Sequence, residues 1–257
     1  MTLSPVTIGS ATFTPPVVSK VEGPLATLTS GFATNWPGGA YDPETHTAYI
    51  YSQSGASPLG LVPSPADLSD MNFIQGNALS GARRTGGSGS AAGGGRSGDA
   101  AGADSSAPAG EAAGGGLSVR GLPLLKPPYA RISAIDLDNG EIRWQIAHGE
   151  TADNIRNNPA LKGVTIPRTG RPGLIGPLVT KTLVIAGEGG VFTTPSGQRG
   201  AMLRAYAKND GHEVGAVYMP APESGSPMTY LLNGKQYIVI AVSGGNYSGE
   251  LIAYKLP

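Results

Sequence analysis

The 257-residue chain contains no cysteine, which excludes disulfides, thiolate zinc sites, iron–sulfur clusters and a cysteine nucleophile together. Histidine is scarce: His46, His148 and His212 are the only three, with no HxH or HExxH spacing, so no metal site is expected from them. His46 and His212 fall at expected hairpin turns, where a solvated imidazole is expected, and His148 reads as a loop hydrogen-bonder. Excess charge is missing as well, since 18 basic residues face 18 acidic ones. A neutral chain offers no electrostatic footprint for a polyanion, so no nucleic-acid partner is expected. The longest apolar run, Tyr237 to Val242, is far shorter than a membrane span. Residues 1–30 lack a basic start followed by an apolar core, and no signal peptide is expected in this chain. A GxSxG elbow is absent, which weakens a hydrolase reading. Long amphipathic helical patterns are lacking too; the best candidate is a short turn at 151–162, capped by Thr151 or Asp153.

Glycine and proline are abundant instead. With Gly 40 and Pro 22 they make up about a quarter of the chain, a level typical of turn-rich all-β or low-complexity sequences. Part of that excess is concentrated in 81–116, a Gly/Ala/Ser-rich stretch with almost no aromatic or β-branched residue. Such a segment buries too little apolar surface to offset its ordering entropy, so a disordered insertion is expected there, between segments 1–80 and 117–257. A phosphate-loop reading of Gly87–Ala92 fails, because no strand precedes it and no helix former follows. Short strands separated by turns are expected over 41–54, 131–146, 176–188, 201–219, 227–243 and 250–256. Asn139-Gly140 and Asn233-Gly234 supply the positive-φ residues of tight hairpins.

Internal similarity sharpens the fold. Ala134-Ile-Asp-Leu-Asp-Asn-Gly140 aligns with Ala205-Tyr-Ala-Lys-Asn-Asp-Gly211, and Leu251–Leu256 resembles the start of a third copy. Pro177–Gly190 similarly aligns with Pro227–Gly245, and Trp36–Ser54 reads as an earlier relative of the same pattern. Each unit is a pair of hairpins, four strands in roughly 45–55 residues, which matches the period of a β-propeller blade. In the stretch AIDLDNGEIRW, Trp144 offers a flat surface for docking between blades. Ala134 is small enough to admit a neighbour, and Asp136 is placed to bond backbone or an adjacent indole. Asp136 and Asp138 read as a polar edge, since a glycosidase pair must flank a sugar across a cleft. Arg168, Arg171 and Arg199 lie in Pro/Gly-rich loops; each is expected on the surface, where it could meet an anionic group.

The spacing Ala134-x-Asp136-x-x-Asn139-Gly140-x-x-x-Trp144 resembles the tryptophan-docking motif of the quinoprotein dehydrogenases. These are eight-bladed propellers that use pyrroloquinoline quinone (PQQ). Segments 33–53, 122–137, 157–190 and 225–245 resemble the C-terminal part of that family, closest to its glucose-dehydrogenase-like branch. The resemblance implies an all-β fold of four-stranded PQQ-repeat blades, an incomplete part of an eight-bladed propeller. It also implies oxidation of an alcohol or aldose hydroxyl with hydride transfer to the quinone, and a periplasmic or cell-envelope location. Asn35-Trp36 matches the pair that lines the quinone pocket, and Gly244, within Ser243-Gly244-Gly245, matches a segment that approaches the cofactor. The Ca²⁺ or lanthanide ligands, the general base and the cation beside the quinone belong to family motifs upstream of the matching part. The resemblance therefore implies no catalytic or metal-binding residue in this chain, inactivity of the chain alone, and completion by N-terminal blades. An alcohol or sugar substrate and a quinone or cytochrome c electron acceptor are the other implied partners. The alternative is a non-catalytic scaffold, because PQQ-like repeats also occur in propellers that act through protein contacts.

Overall fold

The computed structural model describes residues 15–34, 37–82, 117–194, 196–244 and 246–256. The strands β1 (Val17–Val18), β2 (Thr27–Ala33), β3 (Gly39–Asp42), β4 (Thr47–Pro63), β5 (Phe73–Asn77) and β6 (Gly81–Ala82) come first. Residues 83–116, most of the expected insertion, lie outside the described residues. Gly81 and Ala82, at its near end, differ from the expectation: they pair with Asn77 and Gly76 of β5. Beyond the insertion follow the paired β7 (Ser118–Val119) and β8 (Leu122–Pro123), then β9 (Ala130–Asp136) and β10 (Ile142–Ala147).

The first blade is the antiparallel set β3-β4-β9-β10. Its strand β4 alternates as a half-buried strand should: Thr47, Tyr49 and Tyr51 point into the protein, while Ala48 and Ile50 are less buried. Past Gln53, β4 leaves the blade and pairs with β2, β1 and β5 instead. The segments on either side of 83–116 thus share one sheet.

Between the first and second blades lie a single turn of helix, α1 (Asp153–Arg156), and a 3-10 turn at Pro159–Leu161. Neither expected cap operates. Ala152 occupies the N-cap of α1 without a side-chain bond, and it is Asn158 that caps the 3-10 turn by accepting from Ala160 N–H. The second blade has the order β11 (Leu178–Val179), β12 (Leu183–Gly187), β14 (Arg199–Ala207), β15 (Glu213–Met219), with the short β13 (Phe192–Thr193) against β14. The third comprises β16 (Glu223–Leu232), β17 (Lys235–Gly244) and β18 (Tyr247–Lys255), in that order. Its β16–β17 turn uses Asn233 and Gly234 at φ 50° and 74°, as the Asn-Gly pair predicts.

The second blade is packed on both faces. Val184 and Ala186 enter a core with Tyr49, Ile132, Trp144 and Tyr206 of the first interface. Ile185 enters the other core, with Leu203, Ile238, Ile240 and Val242. A strand covered on both sides reads in sequence as an unbroken apolar run, and LVIAG is one. The architecture is all-β, three blades laid face to face.

Trp144 joins the first two blades. It lies opposite Ala134 in the β9–β10 register, and its indole N–H donates to Lys208 O of the second blade at 3.0 Å. The Tyr49 hydroxyl donates to the same carbonyl at 3.3 Å, with the two rings 5.7 Å apart. Facing them is Gly211, at φ 75°, where an added Cβ would sit 2.8 Å from Trp144 Cε3. Only glycine meets both demands. Asp136 bonds backbone, not the indole: it accepts from Asp138 N–H at 2.9 Å and from the Arg143 guanidinium at 2.7 and 3.0 Å. That guanidinium holds the Asp136 carboxyl below its usual range.

Candidate functional site

The first strands of the three blades lie side by side, with β11 touching both β3 and β16. Asn35 and Trp36, which precede β3, lie outside the described residues, as does Gly245. Pro37, next in the chain, is described. Its carbonyl oxygen would be 2.7 Å from a Cβ added at Gly176, and the Ser226 hydroxyl of β16 closes the same space. Gly176 is thus a close-packed junction where three blades meet. Gly244 is described too, at the exposed end of β17 with φ 108° beside a β-bulge. The nearest atom to an added Cβ there is Pro222 Cδ at 3.9 Å, so within this chain its backbone conformation, rather than crowding, calls for glycine.

The junction is held by a carboxyl group that sequence reading missed. Glu223, the first residue of β16, is buried; its Oε1 accepts from Gly176 N–H at 2.7 Å and its Oε2 from Gly187 N–H at 2.6 Å. Burial pushes this carboxyl up to about 8, against the two N–H donors that favour the charged form. The signal in sequence was slight: one acid in the loop PAPES before an apolar strand.

On the far side of Gly187 stands His148, fully buried. Its Nε2 is 2.8 Å from Gly187 O, and its Nδ1 is 2.9 Å from the Tyr206 hydroxyl. A carbonyl only accepts, so Nε2 carries the proton and the Tyr206 O–H donates to Nδ1. The expected loop hydrogen-bonder is a core residue linking the first two blades.

An ion-pair network adjoins it. Buried Glu188 accepts from Arg204 Nε at 2.6 Å and from Glu150 N–H at 3.0 Å. Arg204 reaches Glu213 at 3.0 Å, and Arg168 bridges Glu213 at 2.6 Å and Glu150 at 3.1 Å. Burial pushes the Glu188 carboxyl up, with Arg204 opposing it. Glu188 Oε2 has no hydrogen-bond partner among the described residues. The network corrects the reading of the loop arginines. Arg168 is committed to two carboxylates, and Arg171 is 2 % exposed, with its carbonyl accepting from the Tyr51 hydroxyl at 3.0 Å. Arg199 is the half-exposed member, 3.6 Å from Asp153. The loop is drawn inward because it packs against β9 and the 187–190 turn. The other two histidines sit at the surface, His46 beside Asp138 and His212 beside Asp210, at 2.9 and 2.7 Å. Among the described residues no group of three or more His, Asp or Glu has the arrangement of a metal site.

His148 gives the fold a defined acid sensitivity. Burial depresses its pKa to about 4 from an ordinary 6.5. Below pH 6.5 the unfolded chain therefore takes up a proton that the folded chain refuses until about pH 4. Stability should fall as pH drops through that window, by about 3 kcal/mol from this residue. Urea unfolding at pH 7, 6, 5 and 4 measures it. His148→Gln, which can donate to Gly187 O and accept from Tyr206, should flatten that part of the profile; an unchanged slope would contradict the assignment.

The chain is similar to known proteins. The family model for the "Glucose/ethanol/alcohol dehydrogenase, beta-propeller domain", a PQQ domain, matches residues 6–238. Quinoprotein glucose dehydrogenase A of Acinetobacter calcoaceticus is 34% identical over 146 residues, covering 55% of this chain and 17% of that protein. The probable quinate dehydrogenase (quinone) of Xanthomonas campestris pv. juglandis is 34% identical over 148 residues, with the same coverage of 55% and 17%. The glycerol dehydrogenase large subunit of Gluconobacter thailandicus is 27% identical over 262 residues, 95% of this chain and 31% of that one. The crystal structure of quinohemoprotein alcohol dehydrogenase from Comamonas testosteroni aligns with TM-score 0.45 at 16% identity, covering 89% of this chain and 27% of that one. The chain spans between 17% and 31% of the length of these three curated relatives.

Proposed function

This chain belongs to the glucose/ethanol/alcohol dehydrogenase β-propeller family, and from that premise we propose that it supplies the pocket wall and late blades of a PQQ-dependent dehydrogenase. The substrate class is an alcohol or sugar hydroxyl, and the electrons pass on to a quinone or a cytochrome c. The proposed setting is the periplasm or cell envelope. The observation that carries this reading is the meeting of Pro37, Gly176 and Ser226, where the first strands of three blades converge. Directly before Pro37 in sequence stands the Asn35-Trp36 pair.

The residues present fit a flat, carbonyl-bearing group. Gly176 lets the Pro37 carbonyl and the Ser226 hydroxyl close in where the three blades meet, and the pair directly before Pro37 offers by residue type an indole in Trp36 and, in Asn35, an amide that both donates and accepts. When bound, PQQ supplies a two-electron acceptor for the hydride leaving the carbinol carbon. In that arrangement Asn35 would hold a quinone carbonyl, Trp36 would exclude water from one face, and the Gly244 backbone would close the rim. We assign the metal ligands and the general base to other blades of the complete propeller, so this chain by itself is expected to turn over no substrate.

Calorimetric titration with PQQ in the presence of Ca²⁺, on this chain joined to the blades that complete the propeller, tests the reading. Saturable binding is expected, with Trp36→Ala weakening it by tenfold or more, equivalent to about 1.4 kcal/mol. Asn35→Ala should weaken it by a smaller factor, on the order of one hydrogen bond. Absence of saturable binding, or equal affinity in Trp36→Ala, would favour the non-catalytic scaffold instead.

A further inference from the structure

The interface between the first two blades buries a run of oxidisable aromatic side chains. Trp144 and Tyr49 have ring centres 5.7 Å apart. Tyr51 follows Tyr49 by two residues on the same buried face of β4, a spacing of about 7 Å along the strand. His148 then stands between Tyr51 and Tyr206, its ring centre 5.8 Å from one and 5.7 Å from the other. Each step is short enough for an electron to pass. The run begins nearest solvent, since Trp144 is 9% exposed, Tyr49, Tyr51 and Tyr206 1% each, and His148 0%.

The members differ in where their protons point. The Trp144 N–H and the Tyr49 hydroxyl donate to Lys208 O, and the Tyr51 hydroxyl donates to Arg171 O. A backbone carbonyl takes up no proton near neutral pH. In this group the Tyr206 hydroxyl alone faces a base: the His148 Nε2–H is committed to Gly187 O, so the Nδ1 lone pair meets the phenol at 2.9 Å. Burial keeps that imidazole neutral at neutral pH and the phenol protonated. Oxidation of a buried phenol without proton loss would leave a radical cation in the core, an unpaired charge. Beside His148 the proton has a place to go.

We propose that Tyr206 and His148 form a radical site, the sink for oxidising equivalents that enter at Trp144. An oxygen-centred radical takes one electron from Trp144 and is itself reduced. Electrons then move outward from Tyr49, Tyr51 and Tyr206 in turn, and the Tyr206 proton passes to His148 Nδ1. The products are a neutral phenoxyl radical and an imidazolium still bonded to Gly187 O. Glu213 favours that imidazolium, against Arg204 and Arg168. Return of one electron draws the proton back and restores the phenol. No cofactor takes part, so the site stands apart from the pocket reading.

Light-generated tris(bipyridine)ruthenium(III), a one-electron oxidant, tests this on the full chain, with the radical trapped by freezing and read by electron paramagnetic resonance. After ¹⁵N-histidine labelling the tyrosyl signal should carry a ¹⁵N coupling. His148 is the histidine bonded to a tyrosine, whereas His46 and His212 pair with Asp138 and Asp210. Tyr206→Phe should abolish the coupled signal, and His148→Gln should lower the tyrosyl yield, because an amide takes up no proton. Tyr247→Phe should change neither, although Tyr247 bonds the Glu250 carboxylate at 2.6 Å, because it lies exposed on β18. Trp144→Phe should lower the yield and keep the coupling. The absence of a tyrosyl signal in the unsubstituted chain, or a signal without ¹⁵N coupling, overturns the proposal even if no variant folds. A signal kept in Tyr206→Phe and lost in Tyr247→Phe overturns it as well, and equal yield in Trp144→Phe overturns the entry at Trp144.

Discussion

Trp144→Ala should lower the unfolding free energy by about 3–5 kcal/mol, the range for truncating a large buried aromatic. The estimate follows from what the indole fills. Trp144 is 9% exposed and packs in the same core as Tyr49, Ile132, Val184 and Tyr206. Truncation opens a cavity between two blades and leaves Lys208 O with the longer of its two bonds, the 3.3 Å one from Tyr49. Gly211→Ala attacks the same contact from the other side, since the new methyl would meet the ring at 2.8 Å and the backbone holds φ 75°. The two losses should not add. Once the indole is gone, Gly211→Ala retains only its backbone strain, so a double-mutant cycle by urea unfolding should return a coupling of about 1 kcal/mol or more. A loss below about 1 kcal/mol for Trp144→Ala would mean that the blades are held together elsewhere.

The same residues explain what the sequence could disclose. The docking stretch was legible because its parts are local: Asn139-Gly140 turns the chain, Ala134 faces Trp144 across one hairpin, and the copy at 205–211 places a glycine where the neighbour must be thin. Blade strands were legible for the same reason, through alternation in β4 and apolar runs in β12 and β17. The buried charges were not. Arg171, Arg204, Glu188 and Glu223 are hidden by contacts between blades, and nothing within one hairpin distinguishes them from surface residues. Arg171 in a Pro/Gly-rich loop looked exposed because loops usually are; here the loop is pressed under β9. The course of β4 beyond Gln53 was also hidden, since its partners β1, β2 and β5 are set by tertiary packing. Of the candidate cofactor residues, Gly244 is placed at an exposed strand end, and Asn35-Trp36 rest on the pattern around Pro37.

Arg204→Met should be the other severe substitution, and its pH dependence should identify the cause. Arg204 is the cation bonded to buried Glu188, and it also engages Glu213. Removing one partner of such a pair leaves the other charge uncompensated in the interior, a cost of about 3–5 kcal/mol. Glu188 already has its carboxyl raised by burial with Arg204 opposing; without the guanidinium it should rise further. A raised carboxyl in the folded state binds a proton that the unfolded chain has released, so stability is greater at low pH and is lost as pH rises through the folded-state pKa. Arg204→Met should therefore lose less stability at pH 5 than at pH 7.5, opposite in sign to the His148 contribution. Urea unfolding at the two values measures the difference. Adding Glu188→Leu to Arg204→Met removes the stranded charge and should restore part of the loss, because an apolar pair of similar volume can replace a buried ion pair at little net cost. If the double variant is no more stable than Arg204→Met at pH 7.5, then Glu213 and Glu150, not Glu188, are the partners that make Arg204 necessary.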